Sequence, residues 1–325
     1  MKEAQRQTRS FLQELFEQHG FHPRIDLGQN FLIDINLVEY IAQQAHLQLH
    51  DVVLEVGAGT GGLTTFLARK AAHVVSIELD TRMFGLATNA VKDCSNVTLM
   101  RCDALKNKNN FSEEVLRALD EQLAKHPKPK RVLKLVANLP YNIATPVISN
   151  LVVTNLPWEL MVVTIQLELG KRIVAKPGSS NYGALSVWLQ SQCHVKLLKR
   201  LPPTVFWPRP RVNSAIVQVR PDVLNREKIL DRVFLQDFLR RLFHQRRKFG
   251  RSVLVGMYRK QMSKGEVDET IAKLELPERF RAENLDVSTL VSLGNEFCKK
   301  IRMLSTRESL PRLKAVKESP VKEEP

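Results

Sequence analysis

The chain lacks any uninterrupted apolar run approaching the roughly 18 residues that a membrane-crossing helix needs. Its N-terminus, MKEAQRQTRSFLQELFEQHG, mixes acids with bases and has no apolar core of the signal-peptide kind. That stretch reads instead as a short amphipathic helix with Phe11, Leu12, Leu15 and Phe16 on one side. A membrane-embedded protein is not expected, and the cytoplasm is the expected compartment. Cysteine is sparse too: Cys94, Cys102, Cys193 and Cys298 form no CxxC pair and have no metal-like spacing. They read as packing or surface thiols, and no metal site is expected.

What the chain has in excess is positive charge. A net +15 and a pI near 9.8 point to a polyanionic partner, because lysine and arginine that neutralise phosphates release counterions. At 325 residues and 43% hydrophobic content there is enough apolar material for one large domain and a smaller one. From Asp51 the chain alternates short β-rich runs (52–59, 73–80, 97–104, 131–138 and 159–166) with helix-like segments. That alternation predicts βαβ units in a mostly parallel sheet, and the close-set runs 194–201 and 213–220 predict an antiparallel end to it. Residues 107–130 read as an amphipathic helix followed by a basic, proline-broken loop. After Pro221 the strand pattern stops, and helical periodicity takes over, as in Leu235, Phe238, Leu239 and Leu242. Residues 226–325 hold 23 basic against 15 acidic residues. The expected organisation is a helical extension (1–24), an α/β domain (25–222), a small helical domain (223–304) and a polar, disordered tail (305–325).

Within this frame, EVGAGTGG places Gly57, Gly59, Gly61 and Gly62 where a strand turns into a helix. Glycine there admits positive φ and close approach of a ligand. Glu78, at the end of the next strand run, can accept both hydrogen bonds of a ribose diol. Asp103, at the end of the third, can meet an adenine amino group. Three strand ends therefore converge on one crevice, as at the switch point of a doubly wound sheet. The glycines fall as G-x-G-x-G-G, not in the dinucleotide pattern, and no Walker lysine follows. A nucleoside-containing cofactor is implied, and S-adenosylmethionine fits better than NAD.

The fourth strand run ends in NLPYN, and two readings compete: a structural turn, or a pocket for a flat amine. A ring-conjugated amino nitrogen is a poor nucleophile because its lone pair is delocalised. The Asn138 side-chain oxygen and the Leu139 carbonyl can accept both its hydrogens and free that pair for in-line attack on a methyl sulfonium. Pro140 fixes the turn, and Tyr141 offers a stacking face. This chemistry rests on positioning, so no histidine is required.

With these residues in place, the chain resembles the rRNA adenine N6,N6-dimethyltransferases, which dimethylate two adjacent adenosines near the 3′ end of small-subunit 16S rRNA. The resemblance spans roughly 24–300 and rests on DLGQNFL (26–32), EVGAGTGGLT (55–64), IELD (77–80), CDAL (102–105), NLPYNIATP (138–146), TIQLELGKRI (164–173), YGALSV (182–187), VFWPRPRVNSAIV (205–217) and FHQRRKFGRSVL (243–254). It implies a Rossmann-like class I methyltransferase sheet carrying a small C-terminal helical domain. It further implies S-adenosylmethionine contacts at Asn30, Leu32, Gly57, Gly59, Glu78, Asp103 and Asn138, with GQNFL closing over the cofactor. Phe206 matches the family aromatic that sandwiches the flipped adenine against Tyr141; by pattern alone it reads as core. Gln166, Glu168 and Arg172 match a further family pattern, with a helix-start salt bridge as the plainer reading. Leu167 stands where family members usually carry lysine, and 107–130 is longer than in typical bacterial members. The implied partner is 16S rRNA in a small ribosomal subunit precursor, met by the chain as a monomer.

The stretch RRLFHQRRKFGR gathers Arg240, Arg241, Arg246, Arg247, Lys248 and Arg251, which on one helix would wrap much of its circumference. Beside an adenine-type pocket, Arg246, Arg247, Lys248 and Arg251 read as phosphate contacts. Rival readings are a 23S rRNA adenine dimethyltransferase of the macrolide-resistance type, and a ribosome-assembly RNA-binding factor whose methylation is dispensable. DNA adenine methylation fits less well, since the helical domain is short for separate target recognition.

Overall fold

The computed structural model describes residues 7–20, 23, 29–125, 130–277 and 279–309. Its centre is a seven-stranded sheet: β1 (Asp51–Val56), β2 (His73–Ile77), β3 (Val97–Met100), β4 (Val132–Asn138), β5 (Trp158–Gln166), β6 (Cys193–Leu201) and β7 (Ser214–Pro221). The spatial order is β3-β2-β1-β4-β5-β7-β6. The first five strands are parallel, and β7 runs antiparallel to both β5 and β6. This is the α/β sheet with an antiparallel end that the run spacing predicts. All six residues of β1 are buried, because a central parallel strand is covered on both faces and so reads as near-continuous apolar sequence. Val52, Leu54 and Val56 join the larger core cluster, while Val53 faces the other way into the second.

Helix α2 (Ile35–Gln44) precedes β1, and α3 (Gly62–Ala68), α4 (Thr81–Val91), α5 (Glu113–Ala124) and α6 (Ala144–Val153) connect β1 to β5 in turn. The N-terminal helix α1 (Arg9–Gln18) buries Leu12 and Phe16. Several expected strand runs end early, 73–80 at Ile77 and 97–104 at Met100. The run 52–59 stops as a strand at Val56, because Gly57 adopts φ +85°. The segment 107–130 is not helical throughout: Leu105–Asn107 pairs with Asn110–Phe111, and the Asn107 side chain accepts the Asn109 N–H to close the turn. The basic loop expected beyond α5 falls partly on residues 126–129, outside the described residues.

After β5 the chain enters α7 (Leu167–Ile173) and α8 (Ala184–Gln190). A Cβ on Gly170 would sit 3.3 Å from both Ala215 and Val217, so glycine lets α7 lie close on β7. Beyond β7 the chain is helical: α9 (Val223–Glu227), α10 (Arg232–His244), α11 (Gly250–Tyr258), α12 (Lys264–Ala272) and α13 (Val287–Ser309). Asp231 caps α10, which buries Leu235, Phe238, Leu239 and Leu242 as the periodicity predicts. These residues share one apolar cluster with β4 and β5, and the Tyr182 hydroxyl donates to the Leu285 carbonyl at 3.0 Å. The helix α13 runs past the tail boundary expected at 305; residues 310–325 lie outside the described residues. Among the described residues no helix is long and apolar enough to cross a membrane, and no cluster suits a metal ion.

Candidate cofactor and acceptor site

The site forms where β1, β2 and β4 end. After Val56 the backbone reverses through Gly57, Gly59 and Gly61, with φ of +85°, +57° and +79°. At Gly57 a Cβ would lie 3.1 Å from the Pro140 ring, so this glycine is what lets the turn pack on the NLPY loop. The Gly57 and Ala58 amides both donate to the Ile77 carbonyl, tying the turn to β2.

The Glu78 carboxylate, 8% exposed, closes this arrangement. Its Oε2 accepts the Gly59 N–H at 2.8 Å and its Oε1 accepts the Asp80 N–H at 2.9 Å. Burial pushes its pKa above the ordinary carboxylate value, and the amide hydrogen bonds oppose that push. Asp103 lies in the turn beyond β3 and accepts the Leu105 N–H at 2.9 Å. At the end of β4, the Asn138 Nδ2 donates to the Asn30 carbonyl at 2.9 Å. That bond fixes which end of the amide is which and leaves Oδ1 as the acceptor. The Leu139 N–H donates to the Thr164 carbonyl, and the Leu139 side chain is buried in the core. The Tyr141 hydroxyl lies 2.6 Å from the Ser214 Oγ, and burial pushes its pKa up while that contact opposes the rise.

These elements enclose a cavity of about 330 Å³. All of the cofactor candidates, Asn30, Leu32, Gly57, Gly59, Glu78, Asp103 and Asn138, line it, as does Pro140. Leu139, Tyr141 and Phe206 do not. Phe206 is 2% exposed and belongs to the apolar cluster that also holds Leu37, Ile41, Leu160 and Ile216, so in this arrangement it occupies the core position its sequence pattern suggests. It sits in a two-residue ladder, Leu32 opposite Phe206 and Phe31 opposite Trp207, of which only the Phe31–Leu32 strand lines the cavity.

Sequence reasoning missed several lining residues. Glu55 is fully buried, and its Oε2 accepts hydrogen bonds from the Thr64 and Ser76 hydroxyls, each at 2.6 Å. Burial pushes it up to about 7, with the hydroxyls opposing and Glu78 adding to the rise. The signal was present: a carboxylate inside an otherwise apolar strand run. Cys102 also faces the cavity, and burial with the nearby Glu114 and Asp103 charges pushes its thiol up to about 12, keeping it neutral. Gln7 gave no signal. Its Nε2 donates to the Thr60 carbonyl at 3.1 Å, its Oε1 accepts the Thr60 hydroxyl, and it lines the cavity with Thr8. Phe16 of α1 backs this contact, packing against Phe31 and Trp207 with ring centroids 5.5 and 5.4 Å apart. Glu78, Asp80 and Asp103 give the lining three carboxylates, beside Glu55, whose burial favours its protonated form. Among the described residues that line it there is no lysine, arginine or histidine. In a chain of net charge +15, that lining favours a cationic ligand and disfavours phosphates.

The basic cluster is not one helix. Helix α10 ends at His244, residues 245–249 form a turn, and α11 begins at Gly250. Arg246 spends its Nη1 on the Ser180 and Tyr182 carbonyls, both at 2.9 Å, with Glu283 at 3.6 Å. Arg251 grips Asp268 through two hydrogen bonds, and Arg240 pairs with Asp237. Arg247 and Lys248 point outward, exposed. Glu168 and Arg172 form an exposed ion pair one helical turn apart, the plainer of the two readings for that segment.

The sequence model for the family described as Ribosomal RNA adenine dimethylase matches residues 20–290. Curated relatives named Ribosomal RNA small subunit methyltransferase A are similar over most of the chain. The protein from Halothermothrix orenii is 34% identical over 289 residues, 89% of this chain and 92% of its own. The one from Clostridium acetobutylicum is 32% identical over 284 residues, 87% of this chain and 96% of its own. Among solved structures, a dimethyladenosine transferase from Plasmodium falciparum superposes with a TM-score of 0.66 at 26% identity, covering 82% of this chain and 97% of its own. The 23S rRNA methyltransferase ErmE shares the fold, with a TM-score of 0.55 at 20% identity over 82% of this chain and 99% of its own.

Proposed function

Because the chain belongs to the ribosomal RNA adenine dimethylase family, we infer that it methylates N6 of two adjacent adenosines near the 3′ end of 16S rRNA in small ribosomal subunit precursors. The methyl donor in this reading is S-adenosylmethionine. The observation that carries it is the Asn138 amide, oriented by the Asn30 carbonyl at the rim of a carboxylate-lined cavity. A sulfonium nucleoside suits that lining, whereas a dinucleotide or nucleoside triphosphate would bring phosphates to Glu78 and Asp103 with no cation to meet them.

When bound, S-adenosylmethionine supplies a methyl group on a positively charged sulfur, which leaves as a neutral thioether. The residues divide the remaining work. Glu78 takes the ribose hydroxyls, held in aim by the Gly59 and Asp80 amides. Asp103 takes the adenine amino group of the cofactor. Asn138 Oδ1 and the Leu139 carbonyl accept the two N6 hydrogens of the target base, which draws that nitrogen towards tetrahedral geometry and exposes its lone pair. Tyr141, anchored at Ser214, stacks the base. With the donor bound, N6 held by Asn138 and Leu139 would attack the methyl carbon as the sulfur–carbon bond breaks, and the proton lost from nitrogen would go to water. For the second methyl group, Asn138 and Leu139 would hold the monomethylated nitrogen in the same way, its one remaining hydrogen bonded to either acceptor. The sandwich with Phe206 requires the ladder at 31–32 and 206–207 to uncover that ring.

The small-subunit substrate is preferred to 23S rRNA because the relatives sharing about a third of their residues with this chain bear the small-subunit name. The test is transfer from labelled S-adenosylmethionine to unmethylated small subunits, free 23S rRNA and DNA. Label should enter small subunits, and Asn138→Ala should lower the rate by about 10²-fold or more, as when a preorganised polar group is removed. Labelling confined to 23S rRNA or DNA would refute the assignment.

A further inference from the structure

From Leu169 to Pro221 the chain holds nine lysines and arginines and no aspartate or glutamate, although it has 34 acidic residues overall. This span folds as one continuous part of the molecule. It comprises the end of α7, then α8, the edge strand β6, the connection 202–213 and β7. Lys171, Lys196, Lys199, Arg200, Arg209 and Arg211 are exposed. Of the nine cations, only Arg172 has an ion-pair partner among the described residues.

Charge on an edge strand discourages pairing with another sheet, and lysine serves that purpose. Edge protection does not choose a sign, however, since a carboxylate disrupts edge pairing as well. Nor does it explain why the cations continue into the connection at Arg209 and Arg211 and onto α7 at Lys171. Acids meet this surface at the ends of the span, where Glu168 pairs with Arg172 and Asp222 lies 3.3 Å from His194, and a surface so poor in acids fits a polyanion. We propose that this acid-poor edge of the sheet is the track along which the RNA backbone flanking the target adenosine lies. The proposal rests on the RNA-substrate reading above and adds the face of the protein that meets the RNA.

Three features support this placement. The track reaches the acceptor loop directly, because Ser214, which begins β7, contacts the Tyr141 hydroxyl. Lys199 and Arg200 stand opposite Ile216 and Ala215 in the β6–β7 ladder, at the same end of the sheet as NLPY. Strand β6 is nine residues long, so it offers an extended edge of about 30 Å at the usual rise per residue. In the helical region, Arg240, Arg246 and Arg251 are engaged by Asp237, by backbone carbonyls and by Asp268, whereas Arg247, Lys248, Arg259, Lys260 and Lys264 are exposed.

The test measures binding of the full chain to unmethylated small subunits across a salt series. The variants are the pairs Lys199→Gln/Arg200→Gln and Arg209→Gln/Arg211→Gln, with Arg247→Gln/Lys248→Gln for comparison. Each of the first two pairs should weaken binding roughly tenfold near 0.1 M salt and lower the slope of log K against log salt by about 1.5. Affinity for S-adenosylhomocysteine, used as the cofactor probe, should be unchanged. Wild-type affinity and slope in both edge pairs would overturn the proposal, and so would an effect confined to the Arg247/Lys248 pair. If the wild-type chain does not bind the subunit at all, the substrate reading falls as well, so the two failures are distinguishable.

Discussion

Replacing Glu55 by glutamine should make the protein's stability less sensitive to pH, and by a calculable amount. The carboxyl group is fully buried beneath the glycine turn, and burial moves its pKa from 4.5 to about 7. In the unfolded chain the same group titrates near its ordinary value. Between about 4.5 and about 7 the native state therefore holds a proton that the unfolded state has lost, so stability falls as pH rises through that window. The loss begins near the unfolded pKa and is complete above the folded one. At 1.36 kcal/mol per unit, the difference is on the order of 3 kcal/mol. Glu55→Gln keeps the side-chain shape and an oxygen to accept the Thr64 and Ser76 hydroxyls, while removing the ionisation. Urea unfolding of both proteins at about pH 5 and about pH 8 measures the effect through the midpoints at constant slope. The variant should gain on wild type by on the order of 3 kcal/mol between the two conditions. A difference that does not change with pH would mean that Glu55 is ionised in the native protein and that the argument from burial is wrong.

Two other perturbations follow from the geometry. Gln7→Ala removes both side-chain hydrogen bonds to Thr60, together worth about 1–2 kcal/mol. Dissociation of S-adenosylhomocysteine, followed by stopped-flow tryptophan fluorescence, should accelerate by about tenfold; an unchanged rate would show that the Gln7–Thr60 contact does not hold the cavity closed. Arg246→Ala should cost about 2 kcal/mol of stability, because the Ser180 and Tyr182 carbonyls lose a charged donor. Arg247→Ala, at an exposed site, should change the unfolding midpoint little. Equal losses in the two proteins would refute the distinction between them.

Much of the site was legible because its residues follow directly from strand ends. Gly57, Glu78, Asp103 and Asn138 each terminate or follow a strand of one parallel sheet, and in such a sheet those ends must lie side by side. Residues whose role depends on a distant partner were not legible. Gln7 precedes Thr60 by 53 positions, and nothing in its neighbourhood announces the contact. Arg246 and Arg247 are adjacent and chemically identical, yet one meets two carbonyls 64 and 66 positions away while the other meets solvent. The hairpin at 105–111 escaped notice because its strands are two or three residues long, too short to show a period.

By itself, then, the sequence determined the parallel sheet with its antiparallel end, the glycine turn, the carboxylates that follow β2 and β3, and the NLPY loop. Hydrophobic period and turn chemistry are local properties, and strand connectivity converts them into a crevice. Only the tertiary structure decided which way the Asn138 amide faces, that Phe206 is covered, that Gln7 and Thr8 ahead of α1 line the cavity and which cations are already paired. Those outcomes depend on side chains brought together from opposite ends of the chain, where burial and hydrogen bonding choose among partners that sequence order does not reveal.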